Sequence, residues 1–292
     1  MKRFALLGAF ALVVCVVAAA SADPGPAPAL QAANPAGQVP PRGEAGHAGR
    51  GKGGRSPNLT WHGGQIMTSP TVTPIFWGAN WASSSFAGDK ISGIDSFYKG
   101  VGGTAYIGTN TEYTGSNGQV TTSISSSKSI VDTSSSLSRA PSTSQVLAEV
   151  ASQIGNPVAN GYYPVYSDLP RGNAGYCAWH SWGTIGATPV QFAFFFVLDG
   201  DPGCAPGSSP GHTDGLTALG NVSGHELSEA LTDPRGDAWY DNSGAENADK
   251  CAWTFNGLES FGGMGWLIQG NWSNNAYNGH AGYDGAGCIN GN

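Results

Sequence analysis

The sequence has few basic residues, and they are not clustered. It contains 13 Lys and Arg against 20 Asp and Glu in 292 residues, a formal net charge of −7. From Asp199 to Asp249, ten acidic residues stand with a single basic one, Arg235. Because phosphate binding needs clustered Lys and Arg, we expect no nucleic acid partner. So many carboxylates repel one another unless cations or solvent intervene, which indicates either a cation site or a solvated acidic face.

Three other patterns are missing. No cysteine pair has the C-x-x-C spacing, which argues against a zinc site made of four cysteines. No Gly-x-Ser-x-Gly elbow directly follows a predicted strand, so a serine nucleophile is not indicated. After residue 20, no apolar run is long enough to predict a membrane span.

The N-terminus has the pattern of a secretory signal peptide. A short basic start, Met1-Lys2-Arg3, precedes an apolar run over residues 4–20, and Ala20-Ser21-Ala22 has the small-x-small form of a cleavage site. We expect residues 1–22 to be removed and the mature protein to be secreted and extracellular, without a membrane anchor. An uncleaved N-terminal anchor is the alternative.

Four cysteines follow the signal segment: Cys177, Cys204, Cys251 and Cys288. An even number in an exported protein predicts two disulfides, for which three pairings exist. We expect sequential pairing, Cys177 with Cys204 and Cys251 with Cys288, because each pair then brackets one loop-rich segment.

The rest of the chain divides into a linker and one domain. Residues 23–57 are rich in Pro, Ala and Gly without a hydrophobic period, which predicts a disordered linker or a pro-segment. Residues 58–292 suit a single domain. Hydrophobic periodicity predicts strands at 72–77, 162–166 and 190–198, helices at 89–98, 144–154 and 215–232, and hairpins or loops at 106–131. This order predicts an α+β fold, with a helix packed on a twisted mixed sheet and a loop-rich C-terminal part holding the disulfides.

The strongest indication of chemistry lies in the last predicted helix, just before Pro234. His225 and Glu229 are four residues apart, so their side chains lean toward the same point, and Glu226 lies beside it. Two ligands at i and i+4 with a glutamate between them are the layout of a zinc-hydrolase helix. We therefore predict His225 and Glu229 as metal ligands and Glu226 as general base. A hydrogen-bonded pair on a helix surface is the alternative.

The remaining site residues are expected from other segments. A zinc site needs a third protein ligand, and Glu246 or Asp249 in the following acidic segment can supply it. His180 or Tyr240 is predicted to donate to the oxyanion of a scissile carbonyl. Zinc is the expected metal, and one histidine with two carboxylates would also suit manganese or calcium.

The helix resembles the zinc-site helix of the gluzincin peptidases of the thermolysin type. Residues 225–233 read His-Glu-Leu-Ser-Glu-Ala-Leu-Thr-Asp, with a glutamate downstream at Glu246. In that family the helix reads His-Glu-Leu-Thr-His-Ala-Val-Thr-Asp, and a downstream glutamate completes the site. The resemblance implies a zincin-like fold and the same roles for these residues, but Glu229 stands where the family has its second histidine.

A longer part of the chain resembles the phosphate-induced protein 1 (Exordium) family, which are secreted proteins of plant cell walls with bacterial relatives. The similar segments are residues 61–64, 75–78, 225–233, 238–240 and 246–251. Because the biochemical activity of that family is not established, this resemblance implies secretion and fold more than chemistry.

Together these features predict a secreted metal-dependent hydrolase that acts on a peptide or protein, with metal-activated water and Glu226 as base. The alternative is a non-enzymatic extracellular or cell-envelope protein that binds glycan or calcium through a degenerate site. Exposed tryptophans stack on sugar rings, so cell-wall glycan is a candidate partner. The other explanation for the many tryptophans is that they fill the core. The tryptophans concerned are Trp77, Trp81, Trp179, Trp182, Trp239, Trp253, Trp266 and Trp272.

Overall fold

The structure is a computed structural model that describes residues 28–44 and 57–291. The predicted signal peptide, with its cleavage site after Ala22, lies outside the described residues. Within them, no helix combines the length and the apolar character that crossing a membrane requires.

The strands of the described residues are mostly short, and the three longest lie together at the centre. In chain order they are β1 (Leu30–Ala32), β2 (Gly37–Val39), β3 (Thr60–Trp61), β4 (Thr71–Val72), β5 (Ile75–Trp77), β6 (Thr114–Gly115), β7 (Gly118–Gln119), β8 (Ser125–Ser126), β9 (Ile130–Asp132), β10 (Gly161–Pro170), β11 (Ala178–Ile185), β12 (Thr188–Val197), β13 (Trp239–Tyr240), β14 (Glu259–Phe261), β15 (Met264–Trp266), β16 (Asn271–Trp272) and β17 (Cys288–Ile289).

The helices include the three that the hydrophobic periodicity predicts, with bounds that differ by a few residues. They are α1 (Ser84–Ala87), α2 (Lys90–Val101), α3 (Ala105–Gly108), α4 (Thr143–Gln153), α5 (Asp214–Thr232) and α6 (Asn274–Asn278). Short 3₁₀ turns lie at Ala79–Ala82 and Asp249–Cys251.

The main sheet is mixed, as expected for the α+β class. The strand β10 pairs in parallel with β12 on one side and with β4 and β5 on the other, and these continue in parallel to β8 and β9. The strand β11 runs antiparallel to β12, and β1 and β2 lie antiparallel along its other side. The nearly continuous apolar sequence of β12 fits its central position, because it is covered on both faces.

Two helices cover opposite faces of the sheet next to β11. His180 on β11 points toward α5, where its Nδ1 lies 3.1 Å from Glu226 Oε2. On the other face, a Cβ at Gly183 would lie 2.7 Å from Leu147 of α4. Side chains three residues apart on a strand point to opposite faces, so α5 lies on the His180 side of the sheet and α4 on the other.

The site helix α5 is buried from Gly215 to Thr232. The Thr213 side chain caps its start by accepting a hydrogen bond from the Leu216 amide. Gly220 and Gly224 do not interrupt the helix; they let other chains approach it. A Cβ at Gly220 would lie 2.8 Å from Trp266, and one at Gly224 would lie 2.8 Å from Ile268.

Part of the predicted linker or pro-segment is ordered. Within residues 28–44, β1 and β2 pair with β11, which disagrees with a disordered linker and leaves the pro-segment open. The Trp253 indole also donates to the Pro40 carbonyl at 2.8 Å, and Ser181 Oγ donates to the Asn34 carbonyl at 2.9 Å. Because most of these contacts are made by the backbone of the segment, they do not require a hydrophobic period in its sequence.

The two disulfides join Cys177 to Cys204 and Cys251 to Cys288, which confirms the sequential pairing. The first lies at the start of β11 and the second at the Asp249–Cys251 turn. Bonds of this kind are typical of proteins in oxidising compartments.

Candidate metal site

The site is centred on one turn of α5. His225, Glu226 and Glu229 are all fully buried. His225 Nε2 lies 2.9 Å from Glu229 Oε1, so these two side chains do meet on one face as their spacing predicts. They face the protein interior, which excludes the alternative of a solvent-exposed pair on a helix surface.

A third element, the segment 246–249, borders the site together with α5 and β11. The Asp249 amide donates to Glu229 Oε1 at 3.1 Å, and the Glu246 amide donates to Asp249 Oδ2 at 3.2 Å. Asp249 Oδ1 lies 3.5 Å from His225 Nε2, whereas Glu246 Oε1 lies 3.8 Å from His180 Nε2. Both candidates for the third ligand therefore reach the site, at different places.

The result is two groups of possible ligands that share Glu229. One contains His180, Glu229 and Glu246, and the other contains His225, Glu229 and Asp249; in each, ligand atoms lie within 4.8 Å of one another. Glu229 belongs to both groups because its Oε1 lies 2.9 Å from His225 Nε2 and its Oε2 lies 3.4 Å from His180 Nδ1.

Many polar atoms of this buried cluster lack hydrogen-bond partners among the described residues. A buried polar atom is normally paired, and an exception indicates an ion, a water or a functional role. The unpartnered atoms are Nε2 of His180 and of His225, Oε1 of Glu226, Oε2 of Glu229, and Oε1 and Oε2 of Glu246. The concentration of such atoms at one place fits a cation better than a structural hydrogen-bond network.

Hydrogen bonding assigns opposite tautomers to the two histidines. His180 Nδ1 donates to Glu226 Oε2 at 3.1 Å, so the neutral ring keeps a free lone pair on Nε2. A carboxylate that holds the Nδ1 proton while Nε2 binds the metal is a common arrangement for metal-binding histidines. The free Nε2 of His180 lies on the side of Glu246.

His225 is held in the other tautomer. The Gln269 amide nitrogen donates to His225 Nδ1 at 2.8 Å and to the Ala248 carbonyl at 2.9 Å. The Gln269 oxygen accepts from the Trp253 amide at 3.2 Å, so both ends of this amide are fixed. With Nδ1 accepting, the proton of neutral His225 lies on Nε2, which faces Glu229 and Asp249 without meeting hydrogen-bond geometry with either.

The electrostatics of the cluster favour added positive charge. Burial alone would lower the pKa of His180, but the charges and hydrogen bonds of Glu246, Glu226 and Glu229 raise it well above 6.5. Burial and the charges of neighbouring carboxylates raise the pKa of Glu246 well above 4.5. At both residues the neighbouring carboxylates attract a proton, and a bound cation would relieve the same repulsion between these carboxylates.

The pKa values of the two helix carboxylates are shifted in opposite directions. Burial raises the pKa of Glu226 to about 7, although its contact with His180 acts against this. Burial would also raise the pKa of Glu229, but the charges and hydrogen bonds of His225 and His180 lower it to about 2. Glu229 is thus the permanent anion of the site, and Glu226 is the group that can exchange a proton near neutral pH.

Tyr240 lies apart from this cluster. Its ring stacks on His62 at 3.6 Å, and its strand pairs with Thr60 and Trp61. Among the described residues, no recorded contact joins its side chain to the cluster. The prediction that Tyr240 donates to an oxyanion therefore has no geometric support, whereas the other proposed donor, His180, lies within the cluster.

Two residues of the site were not identified from the sequence. Gln269 lies in a glycine-rich region that carries no helix or strand signal. Gly37 comes from the predicted linker; a Cβ there would lie 2.3 Å from Glu229 Oε2, 2.4 Å from Glu246 Oε2 and 2.8 Å from His180 Cε1. Neither position has a local signal, because both reach the site through pairing with distant segments.

Comparison of the chain with protein-family models, with curated proteins and with solved structures finds no match. The assignment of function therefore rests on the site itself.

Proposed function

We propose that this protein is a secreted, metal-dependent hydrolase of peptide bonds. In this proposal the cation lies among His180 Nε2, Glu229 Oε2 and Glu246, and Glu226 is the general base. The observation that carries it is the convergence of buried, unpartnered ligand atoms from β11, α5 and the segment 246–249.

The donor set fits a catalytic metal. One imidazole and two carboxylates supply three ligands, which is the number that catalytic zinc sites use while keeping a position open. The same oxygen-rich set would accept manganese, with calcium less suited because it prefers six or more oxygens. His225 Nε2 and the Asp249 amide lie 2.9 and 3.1 Å from Glu229 Oε1, so they would orient this carboxylate without binding the cation themselves.

Glu226 is placed to handle the proton. A bound divalent cation would lower the pKa of a coordinated water and polarise the scissile carbonyl. Glu226 uses Oε2 to hold His180 and has Oε1 free within the site. With a pKa of about 7, it can take a proton from the attacking water and pass it to the leaving amine as the C–N bond breaks.

The fold is compatible with the zincin-like expectation in its coarse features. A mixed sheet packs against the helix that carries the site, and the strand nearest the site is the antiparallel one. The local resemblance to gluzincins supports the same reaction class. It differs in the ligands, since the only histidine of the proposed set comes from β11 and the helix contributes Glu229 where the family has its second histidine.

The glycan-binding alternative has less support. Five of the eight tryptophans that suggested it are buried and cannot stack on a sugar: Trp77, Trp81, Trp179, Trp266 and Trp272.

The proposal is tested by metal content and by a substitution at the base. Equilibrium dialysis against Zn²⁺, read by elemental analysis, should give about one bound ion per chain. Glu226→Gln should keep most of this zinc and lower cleavage of a peptide mixture, read by mass spectrometry, by about 10²- to 10⁴-fold.

The matched control is Glu149→Gln, which replaces another buried glutamate, on α4, and should alter neither quantity. No zinc uptake by the wild-type protein, or undiminished cleavage by Glu226→Gln, would contradict the proposal.

A further inference from the structure

The candidate site is closed in this structure, and the N-terminal segment closes it. His180, His225, Glu226 and Glu229 are fully buried, and Glu246 is only 2 % exposed. The strand β2 pairs with β11 and also contacts α5 and the Asp249–Cys251 turn. The first two supply His180 and Glu229, and the turn directly follows the segment that contains Glu246, so β2 lies beside every part of the site.

The closest approach is made by Gly37, which pairs with His180 across the two strands. Its missing side chain is what permits the contact, because a Cβ would lie 2.3 and 2.4 Å from the carboxylate oxygens of Glu229 and Glu246. A backbone this close to the ligand atoms occupies the place where the carbonyl of a substrate would have to lie.

The segment is held as an extended peptide is held by the edge of a sheet. It pairs antiparallel with β11, and its residues alternate between the site and solvent: Gly37 and Val39 are buried, and Gln38 between them is exposed. In this mode of recognition the main chain supplies affinity and the alternate inward side chains supply specificity.

The segment also contributes little to the core. Of residues 28–44, only Gly37, Val39 and Pro41 are buried. The apolar interior of the protein is formed almost entirely by residues of the domain that follows. Residues 28–44 can therefore leave the edge of β11 at a modest loss of buried apolar surface.

We infer that the edge of β11 beside His180 is the binding site for an extended peptide, and that residues 30–39 occupy it as an internal, displaceable occupant. The inference rests on the proposed function in one respect, namely that a peptide bound at this edge is a substrate. The inward positions specify its class: a glycine opposite His180, followed two residues later by an aliphatic residue, as in Gly37-Gln38-Val39.

Displacing the segment in the full chain tests this. Val39→Asp puts a charge at the buried position, and Gln38→Asp puts the same charge at the exposed position of the same strand. In Val39→Asp, hydrogen exchange of the β11 amides should accelerate, and zinc transfer from the loaded protein to a chelator should become at least about tenfold faster, because a minor open state becomes dominant. Gln38→Asp should behave as the wild type.

The opened edge should then bind the segment in trans. A labelled synthetic peptide of residues 28–44 should bind the Val39→Asp protein and slow zinc transfer again. The same peptide with Gly37→Ala should bind at least about tenfold more weakly, since its Cβ overlaps the carboxylates, whereas one with Gln38→Ala should bind equally well. Peptide binding by fluorescence anisotropy does not depend on hydrolysis.

The outcomes separate the two proposals. Faster β11 exchange without faster zinc transfer, or equal binding of the Gly37→Ala peptide, would overturn the inference. Peptide binding without cleavage of any peptide would support the binding edge and overturn the proposed hydrolysis. If Val39→Asp also loses the protection of α5 amides, the same measurements are made on a full chain cut, after folding, at a protease sequence placed within residues 45–56.

Discussion

Replacing Glu246 by glutamine should make the metal-free protein more stable while weakening its metal site. Glu246 has both carboxylate oxygens buried without hydrogen-bond partners among the described residues, and it lies near Glu229. Glutamine has nearly the same shape and no charge. A glutamate held by structural hydrogen bonds would lose stability on this change, so a gain excludes that role. The loss of the stabilisation by zinc then identifies a ligand.

The size of the gain follows from protonation. Burial and the charges of Glu229, Asp233 and Asp249 raise the pKa of Glu246 well above 4.5, so the native state keeps this proton to a higher pH than the unfolded chain does. Above pH 4.5 the difference in proton binding costs the native state at most about 1.4 kcal/mol per pH unit, until the pH passes the raised pKa of Glu246. Glu246→Gln removes this cost, so its advantage should grow as the pH rises through this interval.

Urea denaturation in the presence of a chelator measures the stability of the metal-free protein, and the same assay with Zn²⁺ measures the stabilisation by metal. At a free zinc concentration one hundred times the Kd, the wild type should gain about 2.7 kcal/mol, and Glu246→Gln should gain much less. Glu149→Gln is the matched control, because it should also stabilise the metal-free protein yet keep the full zinc effect. A Glu246→Gln protein that is less stable than the wild type in chelator at pH 7, or that keeps the zinc effect, would refute the reasoning.

Three further predictions concern the ligand histidines, a second buried acid and a disulfide. His225→Asn should weaken zinc binding by about 10- to 100-fold, the loss typical of a residue that holds a ligand in place. His180→Asn should weaken it by more, and chelator competition measures both. The reverse order would assign the metal to His225. Burial and the charge of Asp132 raise the pKa of Glu149 to about 7, so the stability of the wild type should fall as the pH rises from 4.5 to 7. In urea denaturation, Glu149→Gln should recover about 1–2 kcal/mol at pH 8 and nothing at pH 4. Replacing Cys251 and Cys288, which are 37 residues apart, by serine should cost about 2–4 kcal/mol in the same assay and weaken zinc binding, because the bond anchors the Asp249–Cys251 turn.

The parts of the site that a local pattern encodes could be predicted from the sequence. The spacing of His225 and Glu229 depends only on helix geometry, and α5 forms where the hydrophobic period predicts it. The disulfide pairing was also predictable, because each bond closes a short loop. The secreted destination and the reaction class stay predictions.

The parts that depend on pairing between distant segments could not be predicted. The strand β11 lies between a disulfide and a turn, and its mixture of Trp, His, Ser and Gly has no clear alternation, so His180 could be named but not placed among the ligands. Residues 28–44 gain their structure from the backbone of β11, and the composition of such a segment resembles that of a disordered linker. Gln269 reaches His225 across 44 residues.

The departure of the helix motif from the gluzincin pattern has a structural explanation in His180. A carboxylate at position 229 has two oxygens: Oε1 accepts from the Asp249 amide and faces His225, and Oε2 stays free on the side of His180. An imidazole there would have a single nitrogen directed at the site and could not serve both sides. With Glu229 in the helix, the sheet supplies the missing imidazole from β11, with its Nδ1 proton held by Glu226 and its Nε2 free. The proposed site thereby keeps three ligands, His180, Glu229 and Glu246, and the substitution that weakens the sequence motif is the one that lets a strand residue complete the site.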